Sequence, residues 1–168
     1  VRDTPARAAG GAIIPVPDRR WARRDSKSTA LLAQVLAKQA AKAAGVSEAW
    51  MVEDGVVTEG ASSTAFLVTE NDEILTRPLS QAVLPGITRM AIIEVAKAMG
   101  LKLVERPFTV EEIMTAREAF YTSASTIAMP VVRVDGQQVG GGQPGPVVRA
   151  LRARYLEAVM AQPREDGA

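Results

Sequence analysis

Two Asp-Gly pairs, Asp54-Gly55 and Asp135-Gly136, do most to limit what this chain can fold into, because short apolar runs adjoin them. Asp-Gly readily adopts the left-handed backbone of a tight turn between antiparallel strands. A further turn is expected at Asn71-Asp72. The expected strands are 12–16, 49–52, 56–58, 64–69, 73–76, 101–105, 119–122 and 129–134. The chain should therefore be rich in β-hairpins, and Pro15 indicates that its first strand is an edge strand or ends there.

Apolar residues at helical spacing predict helices between and after these strands. The expected helices are 28–44, 87–99, 109–116 and a final one through Val147, Leu151, Tyr155 and Val159. Ser28 or Thr29 is expected to cap the first helix, and Gly45 to end it. Its predicted buried stripe is Leu31, Leu32, Val35, Leu36 and Ala40. Together these elements predict an α+β fold, a hairpin-rich mixed sheet or barrel with flanking helices.

Composition places the chain among ordinary globular proteins. Its 168 residues are 47% hydrophobic and 23% charged, which suits one domain with a proper core. The net charge of +1 gives no electrostatic reason to expect a nucleic acid or an anionic membrane as partner. No apolar run approaches the roughly 20 residues of a membrane span. The expected location is the cytoplasm.

The sequence contains no cysteine and no histidine. Disulfides, thiolate nucleophiles, Ser-His-Asp triads and Cys/His zinc sites are therefore excluded, and no metal site is expected. Any chemistry must come from Lys, Glu, Asp, Ser, Thr or Tyr, or from a bound organic cofactor.

One of the five lysines stands out by its position. Lys27 lies at a junction between a loop and a helix, among small hydroxyl residues, whereas the other four are expected on solvated helix faces. A lysine works as a nucleophile or base only when its surroundings fix its direction. Lys27 is therefore the candidate catalytic residue.

Four segments carry a more specific pattern. They are Asp25-Ser26-Lys27-Ser28 with the leucines that follow, Val57 to Ser63, Leu84 to Arg89, and Thr122 to Ser125 with Met129-Pro130-Val131. In this order they resemble the fold type IV, or class IV, pyridoxal-phosphate aminotransferases, from about residue 10 to residue 155. The sequence of residues 58–63 is most similar to that of the D-amino acid aminotransferases. The resemblance implies that family's cofactor-domain fold, with pyridoxal 5'-phosphate as the cofactor.

The resemblance also implies roles for single residues. Lys27 would condense with the cofactor aldehyde and carry the transferred proton, and Glu59 would keep the ring nitrogen protonated. Leu84 matches the apolar residue that packs on the ring. The residues implied to bind the phosphate and the substrate are Ile87, Thr88, Ser123, Ala124 and Ser125. Ile87 and Thr88 begin a predicted helix, and the free amides and the dipole at a helix N-terminus favour the binding of an anion.

The sequence departs from the family pattern at three positions. Ser26 stands where isoleucine is common, Thr64 where asparagine is common, and Ala124 where threonine is frequent. Ala124 keeps a backbone amide but lacks the hydroxyl, which weakens the second phosphate contact. Among Arg20, Arg23 and Arg24, just before the lysine, at least two are expected to be solvated rather than to support the site.

The expected organisation is a lead at 1–10, a cofactor-binding domain at 11–160 and a flexible tail at 161–168. The small N-terminal domain of the family is expected to be absent, since few residues precede Lys27. In the family, that domain supplies an arginine on the phosphate and the residues that trap the substrate carboxylate, and a second subunit completes the pocket. The expected assembly is a homodimer, and this segment alone should bind cofactor weakly and turn over poorly.

The expected reaction is amino-group transfer between a D-amino acid, such as D-alanine, and a 2-oxo acid. Branched-chain aminotransferase and aminodeoxychorismate lyase activities remain alternatives, because these relatives share the lysine and the glutamate. An alternative of another class is a non-catalytic interaction module that retains only the fold.

Overall fold

The computed structural model of the chain describes residues 8–161. The strands are β1 (Gly11–Pro17), β2 (Glu48–Glu53), β3 (Val56–Gly60), β4 (Thr64–Val68), β5 (Ile74–Thr76), β6 (Leu103–Glu105), β7 (Glu118–Ser123), β8 (Ile127–Val134) and β9 (Gln137–Gln138). The helices are α1 (Leu32–Ala43), α2 (Ile87–Ala98), α3 (Val110–Thr115) and α4 (Pro146–Ala161). Most of the expected lead and tail lies outside the described residues.

All nine of these strands belong to one mixed sheet. Its order is β3-β2-β1-β8-β7-β4-β5-β6, with β9 paired to β8. β1 runs parallel to both β2 and β8, and β5 runs parallel to β6, whereas the other pairs are antiparallel. β3 stands first in this order and yet contacts β4. The sheet is therefore curled into a half barrel, which confirms the expected mixed sheet with flanking helices.

The turn chemistry read from the sequence explains several of the boundaries. Asp54 and Gly55 have φ of 51° and 80°, the left-handed backbone that a tight turn between β2 and β3 requires. α3 begins with a capping box, in which the Thr109 hydroxyl accepts from the Glu112 amide and the Glu112 carboxylate accepts from the Thr109 amide. The predicted β2-β3 and β4-β5 hairpins are both present.

Apolar side chains form a core on each face of the curled sheet. Trp50, Leu67 and Phe108 belong to one cluster, which α3 joins through Ile113. On the other face, α2 and α4 bury Ile92 and Leu151 among residues of β4, β7 and β8. The two helices thus fix the strands whose ends carry the candidate site.

The predicted orientation of α1 is wrong. Leu31, Leu32, Val35 and Leu36 are 49–72% exposed, and the buried residues of this helix are Ala37 and Ala41. These alanines pack with Ala49 and Met51 of β2 and with Ala61, which follows β3, and their small side chains let the helix approach closely. The helix also begins at Leu32 without a side-chain cap, because the Ser28 hydroxyl accepts from the Ala30 amide in the preceding turn.

β1 is an interior strand of the sheet and continues to Pro17, so the prediction that Pro15 marks an edge strand or the end of the strand is wrong. β8 pairs with β1 only at Gly11, Ala12 and Ile13, whereas β2 pairs along residues 13–17. At Pro15, β1 therefore pairs with β2 on one side only. The missing N–H of Pro15 does not interrupt the hydrogen bonds between β1 and β8.

Candidate functional site

Glu59 is a buried carboxylate in β3, with 5% of the residue exposed. The Leu84 amide donates to both of its oxygens at 3.2 Å, and the Arg20 guanidinium contacts Oε1. Burial raises the pKa of Glu59 above its ordinary value, and the charge and hydrogen bond of Arg20 and the Leu84 amide only partly oppose this. A side chain of this kind can bind a cationic N–H group that is itself shielded from water.

Asp18 and Thr58 hold Arg20 in place against Glu59. Arg20 donates from Nε to Asp18 Oδ1 at 2.9 Å and from Nη2 to Oδ2 at 2.6 Å, and the Thr58 hydroxyl donates to Oδ2 at 2.6 Å. Burial by itself would raise the pKa of Asp18, but these hydrogen bonds outweigh it and lower the pKa to about 2. The Asp18 carboxylate is therefore ionised at neutral pH, as the bidentate pair requires.

Arg24 extends this network to the surface. Its Nη1 lies 3.5 Å from Asp18 Oδ2, its guanidinium also pairs with Glu53, and its backbone amide donates to Gln81 O at 2.9 Å. Of the three arginines, only Arg23 is exposed, with Nε 2.9 Å from Asp25. The expectation that at least two of the three are solvated is therefore wrong, because the turn before Lys27 folds against β3 and the 81–84 loop.

A second buried carboxylate fixes the turn that follows Glu59. Glu48 Oε2 accepts from the Ser63 hydroxyl at 3.1 Å and lies 3.2 Å from the Lys38 amine of α1. The Ser62 hydroxyl lies 3.4 Å from the same oxygen. Lys38 is thus ion-paired, where a solvated helix face was expected. Local patterning did not indicate Glu48, since its partners come from separate segments of the chain.

Leu84 lies three residues before the first helical residue of α2. Gly86 precedes this helix without a side-chain cap, and within residues 8–161 the amides of Ile87 and Thr88 donate to no protein group. A Cβ built on Gly86 would lie 3.2 Å from Thr64 Oγ1, so α2 begins close to the start of β4. Two free amides at the positive end of a 12-residue helix form a potential anion site.

Ser123 is the last residue of β7, and Ala124 and Ser125 lie in the turn that leads to β8. The Ser123 hydroxyl lies 2.8 Å from Thr126 Oγ1 and 3.3 Å from Ser125 Oγ. Ile127 closes the turn with a φ of 63°, an unusual and strained backbone for a β-branched residue.

The β4–β7 pairing brings this turn toward the start of α2. Thr122 pairs with Thr64 in the sheet, and Thr64 in turn lies close to Gly86. The buried Thr122 hydroxyl has no hydrogen-bond partner in the described part of the chain. Hydroxyl groups and free amides therefore lie at one end of the sheet.

Lys27 lies in the loop that leads from Arg24 to α1, five positions before the first helical residue. Its side chain is exposed and, among the described residues, forms no hydrogen bond or ion pair with the other candidates. The backbone of this loop is tied down by the Arg24–Gln81 bond and by the Ser26 amide, which donates to Arg23 O at 3.2 Å. The structure thus links Glu59 to Leu84 by direct hydrogen bonds and to the start of α2 through the short segment that follows Leu84, whereas it links Lys27 to them only through its own loop.

The candidate residues line neither of two other clefts on the described surface. One, of about 310 Å³, lies between Glu70, Arg106 and Thr115, and one, of about 300 Å³, lies between Pro17, Val52 and Val110. Residues 8–161 contain no group of three acidic side chains placed to hold a metal ion. None of the helices in this range has both the length and the hydrophobicity of a membrane span.

Comparisons with known proteins give consistent results. A family model described as Amino-transferase class IV matches residues 4–134. The D-alanine aminotransferase of Bacillus licheniformis is 37% identical over 153 residues, which cover 91% of this chain and 54% of that protein. The D-alanine aminotransferase of Staphylococcus haemolyticus is 40% identical over 146 residues, or 85% of this chain and 51% of that protein.

A solved structure also resembles this fold. The branched-chain aminotransferase of the thermophilic archaeon Thermoproteus uzoniensis, crystallised with norvaline, superposes with a TM-score of 0.85 at 29% identity, over 94% of this chain and 54% of that one. The chain thus spans about half the length of the relatives it matches.

Proposed function

Because the chain belongs to the class IV aminotransferase family, we propose that it is the cofactor-binding part of a pyridoxal-phosphate-dependent aminotransferase. The proposed reaction transfers an amino group between a D-amino acid, such as D-alanine, and a 2-oxo acid. The D-alanine aminotransferases among its relatives support this substrate class. The whole protein is proposed to act as a homodimer in the cytoplasm.

The observation that carries the proposal is the buried Glu59 carboxylate, which accepts from the Leu84 amide three residues before α2 begins with amides that have no protein acceptor within residues 8–161. These groups suit the two ends of pyridoxal phosphate, because a carboxylate can hold the protonated ring nitrogen and a helix N-terminus can hold the phosphate. The Thr122 hydroxyl, which has no hydrogen-bond partner among residues 8–161, and the absence of a side chain at Gly86 leave hydrogen-bonding capacity and space at the phosphate end. The residues present in the described part of the chain therefore fit the cofactor.

Each residue then has a defined task. When bound, pyridoxal phosphate supplies an aldehyde that reacts with amines and a ring that withdraws electrons from the attached carbon. Lys27 would hold the cofactor through its amine and would carry the proton transferred at the reacting carbon. Glu59 would keep the ring nitrogen protonated, and Leu84 would provide an apolar surface for the ring. The amides of Ile87 and Thr88, with the turn at Ser123, Ala124 and Ser125, would bind the phosphate.

A second candidate substrate class is the branched-chain L-amino acids. The similarity of the fold to the Thermoproteus uzoniensis enzyme supports it, and the family resemblance implies the same lysine and glutamate for both activities. Aminodeoxychorismate lyase activity is a third possibility within the family. Supplying D-alanine, L-leucine or aminodeoxychorismate to the cofactor-loaded protein, and measuring the product of each, distinguishes the three.

The proposal is tested by titrating the chain with pyridoxal phosphate and recording its visible absorption. We expect the wild-type chain to develop the band of a lysine-bound cofactor and Lys27→Ala to lose it. Lys42→Ala is the matched control, because Lys42 is an exposed lysine of α1. Borohydride reduction followed by peptide mapping should place the cofactor on Lys27. A label on another lysine, or no band at saturating cofactor, would contradict the proposal, and the second result would favour a non-catalytic interaction module.

A further inference from the structure

We propose that Arg20 is the positioning residue for Glu59, holding one carboxylate oxygen and keeping the group ionised so that the other oxygen would be available to the cofactor ring nitrogen. This inference rests on the proposed function and extends it to a residue outside the family motifs described above. It also explains why a guanidinium is buried next to a functional carboxylate.

The geometry of Arg20 is that of a fixed group. Only 5% of its side chain is exposed, and Asp18 engages it through both Nε and Nη2. The same Nη2 lies 3.4 Å from Ala82 O and from Thr58 Oγ1, while Nη1 is directed at Glu59 Oε1. A planar guanidinium whose Nε and Nη2 are both bound by one carboxylate cannot rotate freely, so the direction of its Nη1 is fixed as well. Arg20 therefore sets the orientation of the Glu59 carboxylate.

The two oxygens of Glu59 differ in their contacts. Oε1 accepts hydrogen bonds from the Arg20 guanidinium and the Leu84 amide. Among residues 8–161, Oε2 accepts one only from the Leu84 amide. Oε2 thus keeps acceptor capacity for one more N–H group. A neutral carboxyl group has a proton of its own to donate, so only the ionised form can hold a protonated ring nitrogen by charge.

Burial opposes this ionised form, and Arg20 is the main group that counteracts it. The charged groups with the largest effect on Glu59 are Arg20, which favours the carboxylate, and Asp18, which disfavours it. Arg24 lies farther out and interacts electrostatically with both Asp18 and Glu59. Without Arg20, Glu59 would keep a buried carboxyl and a nearby negative Asp18, and its neutral form would be favoured.

The test is the titration of the Glu59 carboxyl in the cofactor-free chain. Carbon-13 NMR of glutamate-labelled protein reports it, and the Glu59 signal is assigned by its loss in Glu59→Gln. We expect Arg20→Gln to raise the pKa of Glu59 by about one unit or more, a tenfold increase in proton affinity. Arg23→Gln is the matched control, since it removes an exposed guanidinium three residues along, and it should leave the titration unchanged.

A second measurement covers the case in which Arg20→Gln does not fold. In the wild-type chain, the side-chain nitrogen signals of Arg20 should shift with the same midpoint as the Glu59 carboxyl. Separate midpoints, or an unchanged Glu59 titration in a folded Arg20→Gln variant, would overturn the inference. Neither readout involves the cofactor. A wild-type chain that fails to bind pyridoxal phosphate would therefore refute the proposed function while leaving the Arg20 result interpretable.

Discussion

At the scale of single residues, the main feature of the site is a carboxyl group that the fold has removed from water. Glu59 is buried with one cation and one amide as partners, and burial dominates the resulting upward shift of its pKa. Burying an ionised carboxylate costs free energy unless its partners compensate fully. A carboxylate retained under this cost is a reasonable candidate for function.

The raised pKa gives Glu59 a distinct effect on stability. Because its pKa in the folded chain exceeds the ordinary 4.5, the folded state binds more protons than the unfolded state above that pH. The free energy of unfolding contributed by Glu59 is then most favourable at lower pH and falls as pH rises from 4.5 through the folded pKa. We expect Glu59→Gln to remove this dependence, which is at most about 1.4 kcal/mol per pH unit.

Urea unfolding of both proteins at several pH values between about 4.5 and about 8 measures the effect as a difference curve. Glu157→Gln removes an exposed carboxylate and should leave the curve of the wild-type chain unchanged. Parallel curves for wild type and Glu59→Gln would mean that the carboxyl titrates normally.

At the scale of elements, the start of α2 is the part of the site whose proposed binding groups are backbone amides. Gly86 has φ of −69° and ψ of 129°, so alanine can adopt this conformation without strain. Its Cβ, however, would lie 3.2 Å from Thr64 Oγ1, beside the amides proposed to bind phosphate. We expect Gly86→Ala to fold and to lower the affinity for pyridoxal phosphate about three- to tenfold, which is about 1 kcal/mol.

The comparison with pyridoxal, which lacks the phosphate, isolates this effect. Gly86→Ala should reduce the preference for the phosphorylated form and leave the affinity for pyridoxal nearly unchanged. Gly141→Ala is the control, because a Cβ there meets no atom within 4 Å. An equal loss for both ligands would locate the effect away from the phosphate.

The elements also show which features the sequence could predict. The β2–β3 hairpin and the cap of α3 were predictable because the left-handed backbone at Gly55 and the capping box at Thr109 depend on neighbouring residues alone. The buried face of α1 was not predictable from the sequence, because leucines lie on one side of this helix and alanines on another, and either side could face the sheet. Packing on Ala49 and Met51 selected the small residues Ala37 and Ala41.

At the scale of the whole molecule, the curled sheet explains why only part of the site was predictable. Glu59 and Leu84 belong to recognisable motifs, and the fold joins them by a hydrogen bond. Arg20 and Asp18 have no such local signal, since a charged turn is usually solvated. They are buried because this turn packs against β3 and the 81–84 loop, a contact between segments about 40 to 60 residues apart.

The same scale governs the activity of the 168-residue chain by itself, because it covers only 54% of the Bacillus licheniformis enzyme. The family resemblance places a phosphate-binding arginine and the substrate carboxylate trap in the other half. Losing one charge-assisted hydrogen bond to phosphate costs about 1.5–3 kcal/mol, so we expect cofactor affinity to be at least about tenfold weaker than in that enzyme. Without groups that position the substrate, turnover of D-alanine should be at least about a hundredfold slower. Cofactor titration tests the first expectation and pyruvate formation the second, each measured side by side for the two proteins. A turnover equal to that of the Bacillus licheniformis enzyme would show that this chain contains a complete site.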